Sequence, residues 1–213
     1  MNERKIDEEH RLELLRFLLV KTAAVRRGVK PAELLRVRHC YATANEDGLR
    51  VCLYRSDIYE ILGLDYVELK VEEQSSLVLF YNRTVLSATL GESRNARWLG
   101  RMGYPAEKVA AQGSCCVDLE GMLSHLVRRA SECILPHEVG IFIGYPLKDV
   151  VGFMQSIPET PVHNGMWRVY GGAEESLRRM YAYAREERVA EMAIEKARDV
   201  KDFIRMISYN KAG

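Results

Sequence analysis

One segment of this chain, PHEVGIFIGYPLKDVVGFM at residues 136–154, joins a continuous apolar run to an amphipathic one. Both alternating sides of the apolar run carry aliphatic, aromatic or glycine residues, which is typical of a strand covered on both faces. We therefore predict a central strand over residues 138–144 and a helix over residues 146–156. The strand WRVYG follows, so the order predicts a βαβ unit with parallel strands and a right-handed crossover.

Parallel strands would bring two glycine-rich turns, GYP at residues 144–146 and YGG at residues 170–172, to one edge of the sheet. Ligands of open α/β sheets bind at the carboxyl ends of strands, where free helix amides hold anions. The candidate ligand-binding residues are Gly144, Tyr145, Tyr170, Gly171 and Gly172. Neither turn matches a dinucleotide fingerprint or a P-loop. The alternative is that these glycines serve close packing and tight turns.

His137 and Glu138, at the start of the predicted strand, are the candidate catalytic residues. A histidine beside a glutamate can act as a general base. In an extended strand, His137 would lie more than about 20 Å from Gly144, so we expect the two not to serve one centre. The alternative is a structural histidine, hydrogen-bonded to neighbouring backbone or to a carboxylate.

The remaining sequence predicts a mixed α/β fold with a small sheet of about four strands. Apolar residues at steps of three and four from Ile6 to Ala23 predict a first helix that ends at Gly28. YVELKVE and LVLFYN, joined by EEQSS, predict an antiparallel hairpin. A polar loop is expected at ATANEDG. Further helices are expected after Pro31, Ser56, Ser93, Pro105 and Asp118.

Everything after Gly172 predicts a long helical segment, residues 173–208, that bends or breaks once. Its apolar stripe consists of Leu177, Met180, Tyr181, Ala184, Met192, Val200, Phe203, Ile204 and Ile207. The stripe either packs on its own domain or forms a homodimer or partner contact, since the pattern is longer than a typical globular helix. We treat residues 1–213 as a single α/β domain.

Composition argues against several functional classes. Lys and Arg total 31 against 30 Asp and Glu, so no general attraction to nucleic acid or anionic membranes is expected. The apolar runs are shorter than the roughly eighteen residues of a membrane span. The first twenty residues interleave charge with leucine, unlike a secretion signal, so we expect a cytoplasmic protein. The five cysteines lack metal-ligand spacing; no metal site is predicted, and any cofactor is undefined.

The blocks PHEVGIFIGYPLKDVVGFM, MWRVYGGAEE and GVKPAELL together resemble a family of uncharacterised proteins from anaerobic bacteria, domain of unknown function 3793. That family carries the blocks PHEIGxFLGYPxEDVxGF and GxWKVYG. The resemblance covers most of residues 10–184, and the tail after Ala184 is expected to be additional. The family has no established activity, so the resemblance implies no reaction.

The family pattern also implies a His-Cys pair before GxKPAxL, a position that Lys21 and Thr22 occupy here. Such a cysteine, paired with His137, would make the family similar to papain-like peptidases. Thr22 lacks that nucleophile, and its hydroxyl is expected to bond the preceding helical turn. Cys40, beside His39, is not a convincing replacement.

Two hypotheses about function follow. The preferred one is a noncatalytic α/β protein that binds a small ligand or a partner. The other is a hydrolase or acyl-transfer enzyme built around His137 and Glu138, which requires a cleft with a nucleophile within hydrogen-bond reach of the histidine.

Overall fold

The computed structural model describes residues 3–39, 55–105, 117–132, 134–155, 160–197 and 202. These residues form a mixed α/β fold, which confirms the predicted class. The helices are α1 (Glu3–Lys21), α2 (Ala23–Arg26), α3 (Arg55–Leu62), α4 (Arg83–Gly91), α5 (Ser93–Arg101), α6 (Leu119–Glu132), α7 (Val139–Phe142), α8 (Leu147–Met154) and α9 (Glu174–Lys196). The strands are β1 (Ala32–Arg38), β2 (Asp65–Val71), β3 (Ser75–Tyr81), β4 (His163–Asn164) and β5 (Arg168–Val169). None of these helices combines the length and apolar character needed to cross a bilayer.

The main sheet has three strands in the order β1-β3-β2. Strands β2 and β3 form the predicted antiparallel hairpin, with Asp65 opposite Tyr81. Strand β3 is central and almost completely buried, which explains its continuous apolar sequence. Strand β1 pairs antiparallel with β3, and no other described strand pairs with its second edge, which we call the free edge.

The predicted helix after Pro31 is wrong, because this segment forms β1. Pairing with β3 satisfies the backbone along the whole strand, so tertiary context overrides the helix-start signal of the proline. At the end of β1, apolar and charged residues alternate, as is typical of a strand: Leu35 and Val37 are buried, whereas Arg36 and Arg38 are exposed.

Helices cover both faces of the main sheet. On one face, Val78 and Phe80 pack against α1 and α3. On the other face, Leu79 and Tyr81 pack against a larger layer that contains α4 to α8. Helix α9 lies against α1 and α2. A third, smaller cluster joins β5 to α2 and α9 through Val169 and Met180.

Several helix predictions are confirmed. The first helical region ends at Gly28, which has a positive φ of 70°. Helices α3, α5 and α6 occupy the segments predicted from Ser56, Ser93 and Asp118, and the Asp118 carboxylate accepts a hydrogen bond from Gly121 N at 3.0 Å. The loop at residues 42–48 and the helix predicted after Pro105 lie outside the described residues.

Two helices, α4 and α9, differ from what the sequence predicted. Helix α4 was not predicted, although Asn82 caps it by accepting a hydrogen bond from Val85 N at 3.1 Å. Helix α9 confirms a long C-terminal helix and ends at Lys196, because Ala197 is extended with ψ of 136°. The stripe residues Val200, Phe203, Ile204 and Ile207 lie outside the described residues.

The predicted central strand at 138–144 is also wrong, because residues 139–142 form the short buried helix α7. Local hydrogen bonds hold it, including Ile143 N to Val139 O at 3.0 Å. A short run that is apolar on every side has no periodicity that separates a strand from a buried helix. Gly140 allows close packing of α7 on α8, since a Cβ there would lie 2.8 Å from Val150 Cγ2.

The predicted βαβ unit is absent from the described residues. Strand β5 contains only Arg168 and Val169, and it pairs antiparallel with β4 in a separate two-stranded hairpin. This hairpin closes locally, with Gly165 N donating to Trp167 O at 3.1 Å, so the segment needs no partner in the main sheet. The helix predicted after Pro146 is confirmed as α8. Without parallel strands here, the two glycine turns share no sheet edge.

Candidate functional site

A cavity of about 530 Å³ lies between β1, the α7–α8 region and the β4–β5 hairpin. Its walls are mostly apolar: Leu34, Leu135, Val139, Gly140, Ile143, Val150, Phe153, Met166 and Trp167. Polar or ionisable residues line the remainder: Glu33, His137, Tyr145, Asp149 and Arg168. Cavities that bind small molecules commonly measure about 300–1,000 Å³ and combine apolar walls with a few polar groups. The cavity therefore has the size and composition of a small-molecule site.

The turn between α7 and α8 positions Tyr145 in the cavity wall. Gly144 has a φ of 89°, and a Cβ at this position would lie 2.7 Å from Pro31 Cδ. The carbonyl oxygen of Gly144 accepts hydrogen bonds from Arg179 Nη1 at 2.9 Å and Tyr183 Oη at 3.1 Å. These contacts fasten the turn to α9 and to the residue before β1, so Gly144 has a structural role that only glycine fills without strain.

Trp167 and Tyr145 form a stacked pair in the aromatic wall of the cavity. Their rings stack with centroids 4.2 Å apart and planes inclined by 22°. Burial, together with smaller effects of the nearby Glu33 and Tyr183, raises the pKa of Tyr145 to about 12. The phenol is therefore neutral near pH 7 and can donate a hydrogen bond to a ligand.

The buried carboxylate of Asp149 holds part of the cavity wall in place through four hydrogen bonds. Oδ1 accepts hydrogen bonds from Lys148 Nζ at 2.7 Å and Tyr170 N at 2.9 Å. Oδ2 accepts hydrogen bonds from Trp167 Nε1 at 2.8 Å and Ser176 Oγ at 2.6 Å. These four bonds connect α8 with the β4–β5 hairpin and the start of α9.

Two opposing effects act on the pKa of Asp149. Burial raises it, but the hydrogen bonds from Lys148, Ser176, Tyr170 and Trp167 outweigh burial and leave the pKa below its usual value. Asp149 is thus ionised near pH 7, and all four bonds are within the protein. We interpret it as a positioning residue for the cavity wall. The sequence did not reveal it, because an acidic residue in the first turn of a helix is ordinary.

Glu33 lies at the β1 side of the cavity and is paired with Lys30. Its Oε2 accepts a hydrogen bond from Lys30 Nζ at 2.7 Å, and the two side chains are only 15% and 4% exposed. Burial raises the pKa of Glu33 above its usual value, although Lys30 opposes this effect. Lys30 Nζ also lies 5.1 Å from the ring centroid of Tyr183. The negative charge of Glu33 is therefore compensated inside the protein.

The free edge of β1 contributes backbone groups to the cavity. Asn82 N donates to Pro31 O at 3.0 Å, and His39 N donates to Gln74 O at 2.9 Å, at the two ends of the β1–β3 ladder. In an antiparallel pair, alternate residues make the ladder bonds, so odd-numbered residues of β1 pair with β3. The N–H and C=O of Leu34 therefore point to the free edge, where Leu34 lines the cavity.

His137 and Arg168 lie at the solvent-exposed side of the cavity, and each of them is next to Phe153. The His137 ring meets the Phe153 ring edge-on with centroids 5.0 Å apart, and Arg168 Cζ lies 5.8 Å from the Phe153 centroid. Both residues are exposed, and neither makes a hydrogen bond or ion pair with another described residue. Two nitrogen-bearing side chains are therefore available to a ligand at this opening.

The expected separation of His137 from the GYP turn is wrong. It assumed an extended chain, whereas the intervening residues are largely helical and rise by only about 1.5 Å each. His137 and Tyr145 consequently line the same cavity.

The structure does not bring Glu138 together with His137. Glu138 is buried, and its Oε1 accepts hydrogen bonds from Arg129 Nε at 2.9 Å and Tyr104 Oη at 3.2 Å. Its Oε2 has no hydrogen-bond partner among the described residues. Glu138 therefore connects α7 to α6 and does not orient the histidine ring.

The second glycine turn lies beside the cavity wall and outside its lining. Both backbone groups of Tyr170 are hydrogen-bonded, its N–H to Asp149 and its C=O to Lys148. Gly171, with a φ of 64°, and Gly172 are exposed, with open space where a Cβ would be. Of the five residues predicted to bind a ligand, only Tyr145 lines the cavity. Ligand binding by the other four stays a prediction. The shared edge of parallel strands, from which it was argued, is absent from the described residues.

Of the two candidate nucleophile positions, the structure describes only Thr22, which does not line the cavity. Thr22 is fully buried, and its Oγ1 donates to Leu18 O at 2.7 Å, which confirms the expected hydrogen bond to the preceding turn. Cys40 lies outside the described residues. The described residues that line the cavity include no serine, threonine or cysteine. No group of three or more described His, Cys, Asp or Glu residues is placed to hold a metal ion.

Comparisons with known proteins agree with the resemblance in the sequence. The family model described as Protein of unknown function (DUF3793) matches residues 18–204. No curated protein and no solved structure matches the chain. The matched region includes the cavity and the whole of α9, so the expectation that the tail after Ala184 is additional is wrong.

Proposed function

Since this chain belongs to the DUF3793 family of proteins of unknown function, we propose from its cavity that it is a noncatalytic cytoplasmic protein that binds a small molecule with an apolar body. One observation carries this proposal: a 530 Å³ cavity has apolar walls and isolated polar groups at its borders. Moving an apolar ligand from water into such a cavity is favourable because apolar surface is removed from water. The polar groups would then fix the orientation of the ligand.

The construction of the walls supports this proposal. Asp149 and Gly144 each connect several elements around the cavity, so the walls are fixed before a ligand arrives. A preformed cavity avoids the entropy cost of ordering side chains on binding. The N–H and C=O of Leu34, which bond no other described residue, and the neutral hydroxyl of Tyr145 provide hydrogen-bonding groups in addition to the apolar surface.

The enzyme hypothesis has weaker support. His137 is accessible in the cavity, as a general base would be, but Glu138 bonds Arg129 and Tyr104 instead. The described lining residues include no serine, threonine or cysteine that could act as the nucleophile. A hydrolase or acyl-transfer activity therefore remains a prediction for which no described residue supplies the nucleophile.

Binding of a neutral, apolar fluorescent dye, N-phenyl-1-naphthylamine, tests the proposal. We expect the full chain to enhance the dye's fluorescence with saturable binding. Met166→Trp places a bulky ring at the exposed side of the cavity and should weaken dye binding at least threefold. Met192→Trp is a matched control, because both methionines are similarly exposed, at 45% and 43%, and Met192 lies on α9 away from the cavity.

Two results would contradict the proposal. One is equal dye affinity in the wild type and in both methionine variants, since the dye would then bind elsewhere. The other is no saturable binding by the wild type. Circular dichroism of each variant shows whether the fold is retained.

The predicted homodimer or protein-partner contact through the C-terminal helix stays a prediction. Part of its apolar stripe is exposed on α9: Leu177, Tyr181 and Met192, together with the neighbouring Val189. Met180, in contrast, is buried against the same domain. The helix therefore has both an inward and an outward apolar face, and the molecular mass in solution distinguishes a monomer from a dimer.

A further inference from the structure

The charges around the cavity indicate a chemical class for the ligand. We propose that the ligand is a small organic acid whose apolar body fills the cavity and whose carboxylate contacts Arg168 and His137. This inference rests on the proposed function, because it assigns a class to the ligand of the same cavity.

Both acidic residues at the cavity are already compensated. Glu33 is bonded to Lys30, and the Asp149 carboxylate accepts four hydrogen bonds, one of them from Lys148. A ligand cation would therefore meet carboxylates whose charge is largely neutralised within the protein.

The cationic side chain of Arg168, in contrast, has no compensating partner among the described residues. The nearby Phe153 contacts its guanidinium through the ring face, and the guanidinium N–H groups donate to no described residue. A guanidinium can bind a carboxylate with two parallel N–H···O bonds, which are stronger than bonds between neutral groups. His137, which also contacts Phe153, can provide another N–H donor.

The position of these groups also predicts the orientation of the acid. Arg168, His137, Phe153 and Met166 are exposed, whereas Val150 and Trp167 are buried in the walls. The carboxylate therefore stays near water, where its desolvation cost is small, while the apolar body replaces water along the buried walls.

An ammonium ligand is the main alternative, because aromatic rings bind cations through their faces. Here, however, one face of each of three aromatic rings at the cavity is already covered. Tyr145 stacks on Trp167 at 4.2 Å, and Arg168 occupies a face of Phe153. A ligand cation over Phe153 would also be repelled by the Arg168 guanidinium. The arrangement therefore favours an anion.

Matched probes of one size and different charge test this class. The probes are 3-phenylpropionate, 3-phenylpropanol and 3-phenylpropylamine, together with octanoate, octanol and octylamine as an aliphatic series. Trp98→Phe leaves Trp167 as the single tryptophan, so its fluorescence reports on the cavity wall. We expect the acid of at least one series to bind about tenfold more tightly than its alcohol, with the amine weakest. This ratio corresponds to about 1.4 kcal/mol.

Arg168→Gln should weaken binding of that acid about tenfold and leave binding of its alcohol unchanged. Arg97→Gln, at an exposed arginine of α5 outside the cavity lining, is the matched control and should change neither. An acid that binds no more tightly than its alcohol would overturn the class, as would an equal loss for acid and alcohol in Arg168→Gln. If the dye still binds in a cavity-dependent manner, only this inference fails; if dye binding is also absent, the proposed function fails.

Discussion

The central hairpin and the cavity wall are built on different physical principles. In β3, the successive residues Val78, Leu79 and Phe80 are completely buried, and apolar packing on both faces stabilises the sheet. Around the cavity, a few polar contacts at Asp149 and Gly144 hold short elements in place. Many small apolar contacts spread the stabilisation over the sheet, whereas the cavity wall concentrates it in single residues. The two regions should therefore respond differently to small polar changes.

Removal of the Asp149 carboxylate is expected to have the largest effect. Asp149→Ala leaves the Trp167 Nε1–H and the Tyr170 N–H without their acceptor in a buried region, whereas the partly exposed Lys148 keeps Tyr170 O and Ser176 Oγ as acceptors. Each buried donor that is left without an acceptor costs about 1–3 kcal/mol, and the bonds from Lys148 and Ser176 are lost as well, so we expect the free energy of unfolding to fall by about 3–5 kcal/mol. Urea unfolding measures this difference.

Asp118 provides the control, because its side chain makes one hydrogen bond in the described structure, at the start of α6. Asp118→Ala removes the hydrogen bond to Gly121 N at the start of α6 and should cost about 1 kcal/mol. If both variants lose the same stability, the cavity wall does not depend on Asp149 in the way that we describe.

Addition of one methyl group at the GYP turn should have the next largest effect. Gly144→Ala forces a non-glycine residue to a φ of 89° and brings its Cβ within 2.7 Å of Pro31 Cδ. The left-handed conformation costs about 1–2 kcal/mol and overpacking a further 1–3 kcal/mol, so we expect a loss of about 2–4 kcal/mol in urea unfolding.

Gly171→Ala separates the two contributions to that loss. Gly171 also has a positive φ, of 64°, but a Cβ there meets open space. We therefore expect only the conformational cost of about 1–2 kcal/mol. Equal losses in the two glycine variants would show that close packing at Pro31 and Tyr183 contributes nothing.

The same contrast explains which parts of the fold were predictable from sequence. The hairpin carries a period-two pattern and a polar turn, so strands β2 and β3 were predicted correctly. The apolar run at 138–144 has no such period, and its helical state depends on packing against α8. Strand β5 was predicted, but its partner β4 has only two residues, both exposed, and provides no pattern.

The candidate site was predictable only in fragments. Tyr145 and His137 were singled out by the sequence, but their common cavity was hidden by the assumed extended geometry between them. Glu33, Asp149 and Arg168 are ordinary charged residues in the sequence, and only the arrangement of β1, α8 and the β4–β5 hairpin places them around one cavity. The site is therefore a property of the tertiary packing and of no single motif.

The smallest expected effect is the pH dependence of the Asp149 contribution. The pKa of Asp149 in the folded protein lies below its ordinary value of 3.8, so the ionised form stabilises the fold. This contribution is fully present above pH 3.8 and is lost as the pH falls through the lower folded-state pKa. In Asp149→Asn no such titration occurs. We therefore expect the stability difference between the wild type and Asp149→Asn to be constant from about pH 7 to pH 5.

Below that plateau, the difference should decrease as the wild-type carboxylate is protonated, because a neutral carboxyl group accepts weaker hydrogen bonds from Lys148 and Trp167. Urea unfolding of both proteins at each pH measures it. Glu33, whose pKa is raised by burial, is unchanged in both proteins, so its own titration cancels in the comparison. A stability difference that grows as the pH falls would mean that the protonated carboxyl is the stabilising form. The cavity wall would then be held by shape and packing, as the central hairpin is, and the distinction between the two regions would disappear.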